Sequence, residues 1–225
     1  YSSLVSYSPK TYAYNQLKTG SDEMKALVVA MLNYGAKAQT YFGYKTNALV
    51  NADLTAAQKA LVSSYNSSMM DAVALPDSNK LGAMVSNGGY ASRYPTISFE
   101  GVFSINYYFT PSKTPKGNIV MYVWNQEDYE AALSLSKANA TMAINMSKTG
   151  SSEYVGVVEG IAAKDLDKGI YVSFCYTSGT TEYCSGVVGY SIGTYCNSQA
   201  SKTGTLAELA ASCAVYGYYA KQLFR

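Results

Sequence analysis

The first third of the chain carries hydrophobic residues at helical spacing. Between residues 24 and 42, apolar side chains recur every three or four positions, as they do along one face of a helix. Ser21 precedes this stretch as an N-cap, and Ser8 followed by Pro9 predicts a shorter helix before it. Residues 54–58 match a capping box, which predicts a third helix of about ten residues.

From Thr96 onward, short apolar runs bounded by turn-forming residues replace the helical spacing. Seven short strands in this part of the chain indicate an antiparallel sandwich rather than a parallel sheet. A helical insert is expected at residues 126–135. The predicted strands are 97–102, 104–109, 118–124, 139–146, 153–160, 170–176 and 182–190.

Two features are typical of immunoglobulin-like (Ig-like) folds. The D-x-G-x-Y pattern of residues 167–171 resembles a tyrosine corner, and Trp124 lies on the third predicted strand. The second predicted strand has no Cys, so the disulfide that joins the sheets of antibody domains is not expected. We therefore predict an α+β fold: an Ig-like antiparallel β-sandwich of about seven strands, with an N-terminal helical segment and a C-terminal helical pair.

The end of the chain repeats its beginning. Residues 3–42 align with residues 186–224 across small gaps, which is the mark of a repeated module. We interpret 1–75 as a helical segment that is the tail of a preceding repeat, 76–95 as a connector, and 96–225 as the β-sandwich with its own C-terminal helical pair. The matching residues are Tyr7, Thr11, Tyr12, Gln16, Lys18, Thr19, Gly20, Tyr34, Gly35, Ala38 and Phe42, which recur as Tyr190, Thr194, Tyr195, Gln199, Lys202, Thr203, Gly204, Tyr216, Gly217, Ala220 and Phe224.

Composition excludes several classes of function. Charged residues make up 14% of the chain, the formal net charge is +2, and the 17 Lys and Arg residues are scattered, which argues against nucleic acid as a partner. No apolar run is long enough to insert into a membrane. The start has no signal-peptide pattern, so we expect any such peptide to have been removed or to belong to a longer parent protein.

Catalysis and metal binding are not predicted. The chain has no His, which removes the commonest general base and the commonest transition-metal ligand. It also has no nucleophile elbow and no phosphate-binding loop. Pairs of carboxylates, such as Glu127 or Glu130 with Glu100 or Glu159, are expected by chance in a chain of this size. We therefore expect no enzyme activity, no cofactor and no metal.

The four cysteines fall into two pairs. Residues 177–182 predict a hairpin whose two-residue turn begins at Gly179, and this register places Cys175 opposite Cys184 at a non-hydrogen-bonded position, within disulfide range. Whether the two cysteines form a disulfide stays open. Cys196 and Cys213 fall on the last two predicted helices, either as a joined pair or as two buried thiols.

Tyrosine is the most unusual residue type, at 23 against one Trp. Tyr offers a flat apolar ring and a hydroxyl, which suit both sugar and protein recognition. Strand alternation places Tyr122 and Trp124 on one face, which is a stacking platform if it points outward and core if it points inward. Tyr90 and Tyr94 lie in a Gly- and Ser-rich connector and are freer to act in recognition. The candidate ligand-binding residues are Trp124, Tyr122, Tyr129, Tyr90 and Tyr94.

Most of the chain resembles a module that is repeated in large secreted or cell-surface proteins of anaerobic Gram-positive gut bacteria. The resemblance rests on MKALVVAMLNYGAKAQTYFGYKTNALVNADLT at 24–55, ISFEGV at 97–102, IAAKDLDKGIYV at 161–172 and YSIGTYCNSQ at 190–199. It implies an extracellular or cell-surface location, beside dockerins, Ig-like repeats and carbohydrate-active domains. It assigns no site residue.

Three functions are compatible with these observations. The first is a non-catalytic carbohydrate-binding module that binds a neutral polysaccharide or glycan by aromatic stacking. The second is an adhesin module that binds a host protein such as mucin or immunoglobulin. The third is a structural spacer. A row of exposed aromatic rings favours the first, and an exposed apolar patch of several hundred Å² favours the second.

Overall fold

The fold is given by a computed structural model that describes residues 8–81 and 86–225. The chain forms two compact units. The helical unit contains the described residues up to 71, residues 163–166, and everything from Tyr195 onward. The sheet unit contains the described residues among 72–162, and residues 167–194. The C-terminal helices, which the sequence predicted as part of the sandwich domain, thus group with the N-terminal helices.

The helices begin where the sequence predicts caps. Ser8 Oγ accepts a hydrogen bond from the Thr11 N–H at 3.1 Å, and Ser21 Oγ accepts one from the Met24 N–H at 3.2 Å. Ser191, which was not predicted as a cap, accepts one in the same way from the Thr194 N–H at 3.0 Å. The two aligned segments therefore fold alike, each as a shorter helix followed by a longer one. The helices are α1 (Pro9–Thr19), α2 (Asp22–Phe42), α3 (Ala56–Lys59), α4 (Gln126–Ala131), α5 (Ile192–Ala200) and α6 (Thr205–Leu223).

In the helical unit, α2 and α6 pack against each other in antiparallel directions. Lys37 of α2 forms an ion pair of 2.7 Å with Glu208 in the first turn of α6. At the other end, Asp22 lines the same groove as Gln222. Between these contacts the rings of Tyr34 and Tyr216 stack, with centroids 5.7 Å apart. The repeated tyrosines thus contact each other.

Helix α3 is shorter than predicted. Its capping box is present, since the Thr55 side chain and the Gln58 side chain each bond the other residue's backbone N–H. The helix ends at Lys59, after four residues rather than about ten. The chain continues into a Ser-rich stretch at 63–68, where side chains compete for backbone hydrogen bonds: Asn66 Oδ1 accepts from the Ser68 N–H at 3.0 Å.

The sheet unit holds two antiparallel sheets. The strands are β1 (Gly89–Ala91), β2 (Thr96–Ser98), β3 (Ser104–Pro111), β4 (Val120–Asn125), β5 (Met142–Asn145), β6 (Ser147–Lys148), β7 (Tyr154–Val158), β8 (Ile170–Ser178), β9 (Thr181–Cys184) and β10 (Val188–Tyr190). In the first sheet β3 lies between β7 and an edge made of β1 and β2, with β6 outside β7. In the second sheet β8 lies between β4 and an edge made of β9 and β10, with β5 outside β4.

The two sheets contact each other through their inner faces, which is compatible with the predicted β-sandwich. Phe109 of β3 stacks on Phe174 of β8, with ring centroids 4.7 Å apart. Gly156 of β7 leaves room for Met121 of β4, whose Sδ would lie 2.9 Å from an added Cβ. Both aromatic rings are fully buried, so they form the centre of this core.

The strand count differs from the prediction, because the described residues form ten short strands rather than about seven. The predicted strand 182–190 is divided at Ser185, whose Oγ accepts from the Phe174 N–H at 3.0 Å in place of a regular ladder bond. A tyrosine corner at residues 167–171 requires a hydrogen bond from the Tyr171 hydroxyl to the backbone a few residues upstream, and this prediction is wrong. The Tyr171 hydroxyl donates to the Ala74 carbonyl, 97 residues upstream, rather than to a neighbouring residue.

The hairpin prediction is confirmed. Ser178 pairs with Thr181 and Cys175 with Cys184. Gly179 has a φ of 61° at the first turn position, where a side chain would be strained. Cys175 and Cys184 form a disulfide with Cα atoms 4.1 Å apart. Cys196 and Cys213 are free and buried, and burial, followed by the hydrogen bond with Cys196, raises the pKa of the Cys213 thiol.

Candidate functional site

Trp124 lies on the outer face of the second sheet, yet it is completely buried. It is paired with Tyr171 in the β4–β8 ladder, and its Nε1–H donates to Asn139 Oδ1 at 2.9 Å. Tyr122 lies two positions earlier on the same face and is half-buried. The predicted alternation is therefore correct, and the face points away from the core between the sheets.

The burial of this face comes from the chain that folds over it. Tyr129 of α4 stacks on Tyr171 with ring centroids 3.6 Å apart, and its hydroxyl accepts from the Asp77 N–H at 2.6 Å. The Lys80 ammonium lies 4.8 Å from the centroid of the Tyr129 ring. Residues that precede β1 and residues of the insert pack with the outer face of the second sheet in one hydrophobic cluster. Its buried members are Trp124, Tyr129, Leu135, Tyr171, Cys175 and Cys184, and the partly buried Val73, Leu81, Tyr122, Ala132, Ala140 and Val187 pack against them.

The platform interpretation therefore does not hold for Trp124 and Tyr129. A ring with no exposed face cannot stack on a ligand from solution, so these two residues stabilise the fold instead. Tyr122 is also packed against this cluster, and the Lys137 ammonium lies 5.6 Å from its ring centroid. Of the five predicted site residues, Tyr90 and Tyr94 remain available to a ligand.

The outer face of the first sheet is open, and we call it the open face. Tyr90, at its edge, is 63% exposed and is paired with Thr110 of β3. Half-buried residues continue across β3 and β7, in contrast to the buried Trp124 and Tyr171 on the second sheet. By strand alternation the open face comprises Tyr90, Ser92, Asn106, Tyr108, Thr110, Glu153, Val155 and Val157.

A polar network is fixed on the open face beside Tyr90. Glu153 accepts from Ser92 Oγ at 2.8 Å and from Arg93 at 2.9 Å. The Arg93 guanidinium carbon lies 3.6 Å from the centroid of the Tyr108 ring. The hydrogen bond from Ser92 is the main cause that lowers the pKa of Glu153, with Thr149 and Arg93 acting in the same direction. The network presents donors and acceptors without a net charge.

Further hydroxyl and amide groups extend this network along β3. The Tyr108 hydroxyl lies 3.1 Å from Thr96 Oγ1, and Asn106 Nδ2 donates to the same oxygen at 3.1 Å. These groups are half-buried, so they are held in place while part of each remains accessible. Sequence reasoning missed Arg93, Tyr108 and Glu153, because their partners are up to 61 residues away along the chain.

Tyr94 lies at the edge of the sheet unit and is 87% exposed. It lines a shallow groove of ≈ 260 Å³ together with Ala91, Arg93, Pro95 and Val188. Arg93 lies between the two exposed tyrosines in the sequence and contributes both to this groove and to the open face. Residues 89–95 therefore bring Tyr90, Tyr94 and Arg93 into one short segment.

Glu127, one of the carboxylates considered for a glycosidase pair, is held in an ion pair. The Glu127 carboxylate pairs with Lys168, and this hydrogen bond is the main cause that lowers its pKa, whereas a general acid needs a raised one. In the described part of the chain no group of three His, Cys, Asp or Glu residues could hold a metal ion. None of the helices described is long and apolar enough to cross a membrane.

Comparison with known proteins gives little further information. No family model matches the sequence, and no curated protein matches it. Among solved structures, the Br derivative of BhCBM56 is similar, with 15% sequence identity and a TM-score of 0.30, over 46% of this chain and 99% of that chain. A similarity at this level supports no conclusion about fold or function.

Proposed function

We propose that this chain is a non-catalytic carbohydrate-binding module of a secreted or cell-surface bacterial protein. The open face binds a neutral polysaccharide by aromatic stacking and hydrogen bonds. The observation that carries the proposal is the exposed ring of Tyr90 beside the fixed network of Ser92, Arg93 and Glu153. Tyr94 supplies a second exposed ring at the edge of the same segment.

The chemistry of the open face suits a sugar chain. Sugar hydroxyls both donate and accept hydrogen bonds, and the ion pair of Arg93 with Glu153 offers both kinds of partner. Because the pair is neutral overall, a neutral ligand does not leave a buried charge unpaired. Neighbouring strands are about 4.8 Å apart, so the row from Tyr90 across β3 and β7 to Thr149 spans about 14 Å, enough for a short oligosaccharide.

The expected affinity is modest. Each exposed aromatic ring is expected to contribute on the order of 1 kcal/mol by stacking. The residues of the network already form hydrogen bonds with one another. A ligand that binds the network replaces hydrogen bonds to water, so each new hydrogen bond contributes only part of its full free energy. Binding therefore depends on several contacts along one polysaccharide chain.

The location of the protein belongs to the same proposal. The disulfide between Cys175 and Cys184 supports an oxidising compartment. The resemblance to modules of secreted gut-bacterial proteins supports a place within a larger extracellular protein, with the N-terminal helices as the tail of a preceding repeat. In such a setting the sheet unit holds its ligand near neighbouring domains.

A glycan array combined with affinity gel electrophoresis tests the proposal. We expect retardation by at least one neutral plant polysaccharide or mucin glycan, with no release of reducing sugar during incubation. Retention by no neutral glycan would contradict the proposal and would favour the adhesin or the spacer. Release of sugar would show that the module is catalytic.

A further inference from the structure

A second groove lies at one end of the first sheet, apart from the tyrosines of the open face. It has a volume of ≈ 450 Å³. The loop that follows β3 forms one side, and the turn between β6 and β7 forms the other. Its lining residues are Pro111, Ser112, Lys113, Thr114, Pro115, Lys148, Ser151, Ser152 and Tyr154.

The charge of this groove is positive and uncompensated. Lys113 and Lys148 line it, and no Asp or Glu does. Ion pairs in the described part of the chain occupy Arg93 and other lysines, but neither of these two. Lys116, in the same loop, is equally unpaired there. Two like charges that line one groove attract an anion.

The loop that carries Lys113 is fixed to the second sheet and to the residues just before β1. The Lys113 N–H donates to the Tyr176 hydroxyl at 2.9 Å, and the Lys116 N–H donates to the Thr177 carbonyl at 2.7 Å. Ser112 Oγ donates to the Asn87 carbonyl at 2.7 Å. Because the backbone is already held, a ligand does not have to order it on binding.

The opposite side of the groove supplies an aromatic ring. Tyr154 is half-buried, lines the groove and is paired with Lys148 in the β6–β7 ladder. Ser151, Ser152 and Thr114 add hydroxyl groups. An aromatic ring, two lysines and several hydroxyls that line one groove match a sugar ring that carries an anionic substituent.

We propose that this groove binds the acidic substituent, a carboxylate or a sulfate ester, of a sugar in a polysaccharide. The glycan part of the inference rests on the proposed function, and the anionic part rests on the two lysines. The ligand of the whole sheet unit is then a polysaccharide whose neutral stretch lies on the open face and whose acidic groups reach Lys113 and Lys148. Nucleic acid is a poorer match, since its phosphates require a longer basic stripe.

The test compares matched polysaccharides that differ in charge. Affinity gel electrophoresis is run with polygalacturonate against its methyl ester, and with dextran sulfate against dextran, so that the two pairs separate carboxylate from sulfate. The variant is Lys113→Gln with Lys148→Gln. The control is Lys18→Gln with Lys59→Gln, two exposed lysines of the helical unit with the same change in net charge.

We expect the protein to be retarded about fivefold more by one acidic polymer than by its neutral partner, and less so as salt is raised. The groove variant should lose this difference, whereas the control keeps it. Equal retardation within both pairs, retardation by none of the four polymers, or an acidic preference that survives in the groove variant would overturn the proposal. Tyr90→Ala should weaken the binding of neutral glycans, whereas the lysine variant should remove the preference for acidic polymers. The two variants therefore distinguish an error in the proposed open-face site from an error in the proposed groove site.

Discussion

Tyr34 and Tyr216 hold matching positions in the two copies of the sequence repeat, and their rings stack on each other at 5.7 Å with 19° between their planes. A contact between matching residues is expected when two like helical pairs pack symmetrically, as in isologous dimers. The contact thus joins the two helical pairs within one chain.

A double-mutant cycle should detect this contact. Tyr34→Leu and Tyr216→Leu, alone and together, should show a coupling of about 1 kcal/mol in the free energy of unfolding measured with urea. Tyr34→Leu combined with Tyr90→Leu, in the other unit, should be additive within about 0.5 kcal/mol. Equal coupling in both pairs would show that the stacking does not join the helices.

The disulfide should contribute to stability. Removing it by Cys175→Ser with Cys184→Ser should lower the free energy of unfolding by about 2–3 kcal/mol, because the unfolded chain loses a constraint between residues nine apart. Cys196→Ser serves as a control for the loss of a thiol. A thiol titration under denaturing conditions without reductant should detect only two thiols, those of Cys196 and Cys213. Four reactive thiols would contradict the disulfide between Cys175 and Cys184.

Because the insert packs over the outer face of the second sheet, we expect Trp124 to have a structural role. Trp124→Ala should lower the free energy of unfolding by about 3–5 kcal/mol, since it empties a buried site and removes one of the two hydrogen bonds that Asn139 Oδ1 accepts, the other coming from the Ser136 N–H. Leu133→Ala, on the same insert but 96% exposed, should change it by less than about 0.5 kcal/mol. Equal effects would show that the insert does not hold Trp124 in a core.

Stability should vary little between about pH 6 and pH 8, because the chain has no His. The pKa of Glu127 and of Glu153 is lowered by hydrogen bonds from Lys168 and Ser92, so their contribution is present above the ordinary Glu pKa and is lost as pH falls through the lowered value. Burial raises the pKa of Tyr34, Tyr216 and Cys213, so their contribution is lost as pH rises above about 9.

Urea unfolding at several pH values measures how the free energy of unfolding depends on pH. Tyr34→Phe should move part of the alkaline loss to higher pH. A steep change near neutral pH would contradict these assignments, since none of the groups that they name titrates there.

Local signals in the sequence predicted local structure well. Ser8 and Ser21 mark helix starts, and Gly179 sets the register that joins Cys175 to Cys184, because each of these depends on residues a few positions apart. The alternation of Tyr122 and Trp124 was also correct. Strand alternation predicts on which side of the strand a side chain lies, but it does not predict which other residues pack against that side.

The rest depends on contacts between distant parts of the chain. Trp124 is buried because Asp77 and Lys80 bond Tyr129, about 50 residues later, and hold the insert over the sheet. Arg93 and Glu153 meet because β1 and β7 pair with opposite sides of β3, and no short sequence pattern predicts this arrangement. A prediction from the sequence alone therefore included the exposed Tyr90 but also the buried Trp124.

Calorimetry with a neutral polysaccharide identified on the array tests most directly whether a polysaccharide binds the open face through the exposed tyrosines. Tyr90→Ala and Tyr94→Ala should each weaken binding about fivefold, equivalent to about 1 kcal/mol per ring, without a change in the unfolding midpoint. Tyr44→Ala, which removes a ring that is 60% exposed in the helical unit, should bind as the parent does. Unchanged affinity in a folded Tyr90→Ala/Tyr94→Ala variant would contradict the account.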